Sequence, residues 1–167
     1  MKQNKLFLLR ATDGAGVSSP EPVNDPLAMP ASEVDTRFPR LQPDRVYRMS
    51  IASATLDKSE KTGGEMVTLK LATTKDEMDT DGKVLHAGFS LFHRIGVTPT
   101  EKRDGKSIAR DLALVLKAVA KTTTTPRDLI NNPEMLKDQI VDVKIGIQPA
   151  KDGYPESNKV SSFVIPS

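Results

Sequence analysis

The 167-residue chain has no cysteine and no tryptophan, and it carries only two histidines, two tyrosines and five phenylalanines. Without cysteine there is neither a disulfide nor a thiolate metal site, and His86 and His93 are too few for an imidazole metal cluster. Sparse aromatics mean that any surface for stacking flat rings must be small. No stretch approaches the roughly 18 consecutive apolar residues of a membrane span. Arg10 cuts short the apolar opening Leu6-Phe-Leu-Leu9, so it does not reach the length of a signal-peptide core. A cytosolic protein without membrane contact is expected. The net charge of +2 is too small to attract a polyanion in bulk, so any such site must come from local clustering.

What is present divides the chain in two. Six of the twelve prolines (Pro20, Pro22, Pro26, Pro30, Pro39 and Pro43) fall before Asp44, and between Ala11 and Leu41 no apolar residues recur at a period of two or 3.6. Residues 1–43 therefore read as an extended proline-rich arm and residues 44–167 as the folded domain. Five basic residues balance five acidic ones in the arm, so its expected use is self-association or contact with a protein partner. The cluster Leu6 to Leu9 is suited to adding a strand to a sheet edge.

After Asp44 the periodicities are regular. Arg45–Leu56 alternates, with Tyr47, Met49 and Ile51 on one side, and the polar stretch from Asp57 to Gly64 supplies a hairpin. Glu65–Thr73 places Val67, Leu69 and Leu71 inward. A turn at Asp81-Gly82 leads into a third strand over Lys83–His93, with Gly88 as a bulge or bend in it. Ser107–Lys121 changes to helical spacing, with Ile108, Leu112, Val115, Leu116 and Val119 on one stripe. Thr125-Pro126 and Asn132-Pro133 start two short turns, each with a cap followed by proline. Ile140–Ile147 and Val160–Ile165 are the fourth and fifth strands, joined through Asp152-Gly153. The resulting order, β-β-β-α-β-β, is that of a mainly β domain with one main helix, an OB-like five-stranded barrel.

Catalysis finds little support, and a non-enzymatic protein that uses no cofactor or metal is expected. There is no Gly-x-Ser-x-Gly elbow and no phosphate-binding Gly-x-x-x-x-Gly-Lys-Ser/Thr run. On a regular third strand His86 and His93 would lie on opposite faces. Asp76, Glu77, Asp79 and Asp81 crowd one turn, where solvation accounts for them. Binding finds more support. In an OB barrel the face of strands 2 and 3, with the loops joining strands 1 to 2 and 4 to 5, holds single-stranded nucleic acid. Phosphates call for flexible cations, here Lys58, Lys61, Lys70, Arg94 and Lys151, with His93 bordering the same face. Bases call for flat surfaces, here Phe92 and Tyr154.

Four pieces in order carry a resemblance: Val46-Tyr-Arg-Met-Ser-Ile51; Lys61-Thr-Gly-Gly-Glu-Met-Val-Thr-Leu69; Phe89-Ser-Leu-Phe-His93 ahead of Ser107-Ile-Ala-Arg-Asp-Leu-Ala113; and Asn158-Lys-Val-Ser-Ser-Phe163. Over roughly Arg45 to Ile165 the chain resembles a family of small phage-encoded proteins regarded as OB-fold single-stranded-DNA-binding proteins of replication and recombination. Thr62, Gly63 and Asn158 fall on that family's motif. The resemblance implies single-stranded DNA, or RNA, as partner, and the cytoplasm of a bacterial host as the place of action. The chain departs from bacterial-type relatives in ending Val-Ile-Pro-Ser167 without an acidic tail, which shifts partner recruitment to the arm or removes it. Two other readings fit the same composition: a virion or assembly protein whose arm laces subunits together, and an adaptor or inhibitor whose sheet edge binds a protein.

Overall fold

The computed structural model describes residues 25–34 and 39–167, which belong to two separate units. The first holds two short 3-10 turns, Pro26–Ala28 and Ala31–Glu33, the earlier one started by the Asp25 carboxylate accepting from the Leu27 amide at 3.0 Å. The cluster Leu6 to Leu9 lies outside the described residues.

The second unit is mainly β. Its elements are β1 (Arg45–Lys58), β2 (Glu65–Thr73), β3 (Glu77–Met78), β4 (Val84–Leu85), β5 (Ser90–Gly96), α1 (Gly105–Ala118), α2 (Pro126–Asn131), a 3-10 turn (Pro133–Leu136), β6 (Ile140–Gln148) and β7 (Ser157–Val164). Five strands form one antiparallel sheet in the order β5-β2-β1-β6-β7. β1 is long because it serves two partners in succession: Arg45 to Ser50 pair with β6, while Met49 to Lys58 pair with β2. An irregularity between Ile51 and Ser53 lets the strand bend between them. At that bend the Ile51 amide and carbonyl bond to Gln139 and Asp138, which keeps the backbone satisfied.

Alternation decides which face is buried. Met49, Ile51 and Ala54 of β1, Val67, Leu69 and Leu71 of β2, and Val141, Val143 and Ile145 of β6 are all buried. Ile108, Leu112, Val115 and Leu116 of α1 join the same core, and the helix meets the sheet at β5 and β7. Asp104 starts α1 by accepting from the Ser107 amide at 2.9 Å. The helix ends before the expected Lys121 because Ala120 takes a left-handed φ of 61°. There the Ala120 and Lys121 amides return to the Lys117 and Leu116 carbonyls, a Schellman closure that glycine usually provides. Thr125 and Asp128 form the reciprocal capping box of α2, whereas Asn132 caps nothing with its side chain.

Three expectations change. The third strand is not continuous over Lys83–His93. Its first part, β4, pairs with β3 in a separate two-stranded ribbon, and β5 joins β2 only after Gly88, whose φ of 95° breaks the strand's direction. The five-stranded sheet is not closed: among the described residues β5 and β7 remain its edges, with no hydrogen-bonded pairing between them. Finally, the folded unit takes in residues upstream of Asp44. Leu41 is fully buried, bridged to Asp79, and held on both backbone groups by the Asn158 amide side chain at 2.7 and 3.1 Å.

Candidate nucleic-acid interface

The outer face of β2 and β5 gathers three of the residues singled out in the sequence. Strand register sets Lys70 directly opposite Phe92 and Thr68 opposite Arg94. Phe92 is 52% exposed, and the Arg94 guanidinium lies 5.4 Å from its ring centroid, within cation–π range. Thr68, between Thr55 and Arg94 in the sheet, is buried with its hydroxyl unpartnered by protein. A flat ring, two cations and an unused hydroxyl thus share two rungs of one antiparallel pair that face the same way, with the inward rung of Leu69 and His93 between them. The alternation that sends Leu69 and Leu71 inward sends Lys70 outward.

Four other candidates sit in hairpins. Lys58 closes β1 opposite Glu65, and Lys61 projects from the β1–β2 turn. That turn is held by mutual bonds between Ser59, Gly63 and Gly64 and by the Thr98 hydroxyl, which accepts from the Glu65 amide at 2.8 Å. Gly63 adopts a φ of 73°, which explains glycine there. Lys151 and Tyr154 bond to each other's backbone across Asp152-Gly153, both in left-handed conformation, as a tight hairpin requires. Tyr154 is 77% exposed. Because β6 runs antiparallel to β1 and passes its Arg45 end, the two hairpins lie at opposite ends of β1. The structure therefore brings Lys70, Phe92 and Arg94 together and leaves the hairpin residues flanking them at two distant ends.

His93 belongs elsewhere. It alternates with Leu91 and Ile95, both buried, so it turns inward, away from the face it was expected to border. Its ring meets Phe163 of β7 edge-on, with centroids 5.2 Å apart. Burial pushes its pKa below the usual 6.5, partly offset by the Asp111 charge, so the imidazole is neutral near neutrality. His86 is on no common strand with it, lying after β4 with Nδ1 3.6 Å from Asp76. The acidic turn is also accounted for: Asp79 accepts from the Asp81 and Lys83 amides, and Asp76 accepts from the Ala87 amide. Among the described residues no group of three His, Cys, Asp or Glu could hold a metal ion, and no helix is long and apolar enough to cross a membrane.

Sequence reasoning missed a groove of about 560 Å³ beside His93, between β5, α1 and β7. Arg103 spans one side of it, bonding to the Asp111 carboxylate at 2.7 Å and the Gly96 carbonyl at 3.1 Å. Nothing in local periodicity marks Arg103, which lies in the loop before α1. A smaller hollow of about 300 Å³ lies beside Pro39, Phe89, Phe92 and Asn158. On β1, Arg48 is committed to Asp142 of β6 through two bonds, at 3.0 and 3.1 Å, which hold the Asp142 carboxyl below the usual carboxylate range. No protein-family model matches the chain, and no curated protein matches it in sequence.

Proposed function

We propose that the protein is a non-catalytic, OB-like single-stranded-DNA-binding protein of the phage replication and recombination type, acting in the bacterial cytoplasm. The open five-stranded antiparallel sheet β5-β2-β1-β6-β7, with a helix between β5 and β6, supports the OB-like part of this reading. The observation that carries the reading is the pairing of Lys70 with Phe92, and of Arg94 with the same ring, on the exposed face of β2 and β5. Stacking on Phe92 serves any base. Lys70 and Arg94 meet the phosphates on either side, and the hairpin cations Lys58, Lys61 and Lys151 extend the backbone track in both directions. No step of this needs a cofactor.

The test is fluorescence anisotropy with labelled oligo-dT at low salt. The full chain binds, and duplex DNA competes weakly, because paired bases offer Phe92 no free face. Changing Lys58, Lys61 and Lys151 together to Glu lowers affinity on the order of a hundredfold or more and leaves the thermal melt in place. Equal competition by duplex, or indifference to the triple change, removes the reading.

A further inference from the structure

Four successive antiparallel pairings leave β5 and β7 pointing the same way, with their unpaired edges on the two sides of the groove that α1 spans. Its walls are apolar slabs: Leu114 of α1, Val160 and the Phe163 ring. Its polar groups are neutral or already committed. The hydroxyls of Ser161 and Ser162 line it, and the neutral imidazole of His93 offers one donor and one acceptor. The Arg103 charge is answered by Asp111. Only Arg94, at the groove and also over Phe92, brings a cation with no carboxylate partner among the described residues. A free phosphate or a metal ion would find, besides Arg94, only the Arg103–Asp111 pair, whose charges already answer each other. A continuous peptide strand is excluded by the His93–Phe163 contact, which crosses the seam. What fits is a flat, neutral heterocycle with mixed donors and acceptors at its edge, in a cleft of ordinary small-ligand size.

We propose that this groove takes a single unstacked nucleobase, turned out of a DNA strand that lies across Lys70, Phe92 and Arg94. The inference rests on the single-strand reading above and adds to it a second base site, in the groove behind the exposed face. Arg94 is the hinge between the two, holding the phosphate that joins the stacked base to the inserted one. The hydroxyls and the His93 ring supply edge contacts that an open stacking platform lacks, so this site gives the protein whatever base preference it has.

The experiment is an amide NMR titration of the full-length, isotope-labelled chain with a short oligo-dT and with an abasic strand of equal length and charge. With oligo-dT, the amides of His93 to Gly96 and of Ser161 to Phe163 shift along with Lys70. With the abasic strand Lys70 shifts, and Ser161 to Phe163 do not. Leu114 is 38% exposed, so Leu114→Trp grows into the groove rather than the core. This variant keeps its melt, loses the Ser161 to Phe163 shifts, and binds oligo-dT about tenfold more weakly, the worth of one base contact. Shifts of Ser161 to Phe163 with both strands would make the groove a backbone contact and overturn the proposal. Shifts confined to the outer face would overturn it while leaving the single-strand reading intact. No response to oligo-dT anywhere would overturn both.

Discussion

β1 and the β5–β7 seam are made of the same kind of alternating residues, yet they have opposite fates. β1 is paired on both sides and buries Met49, Ile51 and Ala54. β5 and β7 are each paired on one side only, and between them lie a groove, a half-buried histidine and an arginine shared with an exposed ring. Interior strands have their backbone groups answered and their inward side chains packed, so β2 can offer a ligand only outward side chains such as Lys70. Edges keep unanswered groups and unfilled volume. In this protein stability resides at the centre of the sheet, and the candidate chemistry lies along its margin.

The contrast breaks first under truncation. Leu69→Ala or Leu112→Ala, both at fully buried positions, should cost about 2–5 kcal/mol of unfolding free energy in urea. Phe92→Ala should change stability by less than about 0.5 kcal/mol, as an exposed substitution does, while weakening oligo-dT binding. If Phe92 destabilises as much as Leu69, the edge belongs to the core and the comparison fails.

Acid sharpens it next. The His93 pKa is lowered in the fold, so on acidification the unfolded chain takes up a proton first. Stability should therefore fall as pH drops below about 6.5, and the loss should level off once the folded His93 is itself protonated. A His93→Gln variant should show a flatter profile through that window. Asp142 and Asp104, whose pKa values are also lowered, act only at more acid pH: their contribution is present above the ordinary carboxylate range and is lost as pH falls through their folded values. Chemical denaturation at a series of pH values separates the two windows. An unchanged slope in His93→Gln would place the titrating group elsewhere.

The smallest effect concerns a site outside both regions. Ala120 ends α1 at a φ of 61°, where an L side chain is strained. Ala120→Gly should raise stability by up to about 1 kcal/mol, since relief of that strain exceeds the extra chain entropy of glycine. Thermal melting checks the sign.

Much of the sheet was legible in the sequence because its inward residues alternate without interruption. Val67, Leu69 and Leu71, and then Val141, Val143 and Ile145, announce their faces by period alone. Lys83 to His93 also alternates, so its sequence reads as one strand although the fold divides it into β4 and β5. Period two does not reveal that a positive φ at Gly88 separates β4 from β5, or that Val84 and Leu85 find their partner in Glu77 and Met78. Leu41 reads as part of the arm, because one apolar residue among prolines carries no period. Its burial depends on Asn158, more than a hundred residues away. At the site, Lys70 and Phe92 could be placed on strands, but their opposition depends on the β2–β5 register. The groove could not be read at all, since it is made by what β5 and β7 fail to do. A strand's sequence gives its faces, whereas the distance between two unpaired edges is a property of the whole sheet.

The central claim is that cations on and around the β2–β5 face hold the backbone of a single strand. It is tested most directly by the affinity for oligo-dT measured by anisotropy over a range of salt concentrations. With four or five phosphates neutralised, log K should fall against log salt with a slope of about −3, since a single strand releases roughly 0.7 counterion per contact. The Lys58, Lys61 and Lys151 triple change should bring that slope toward about −1. A flat response, or no binding at low salt, would contradict the account.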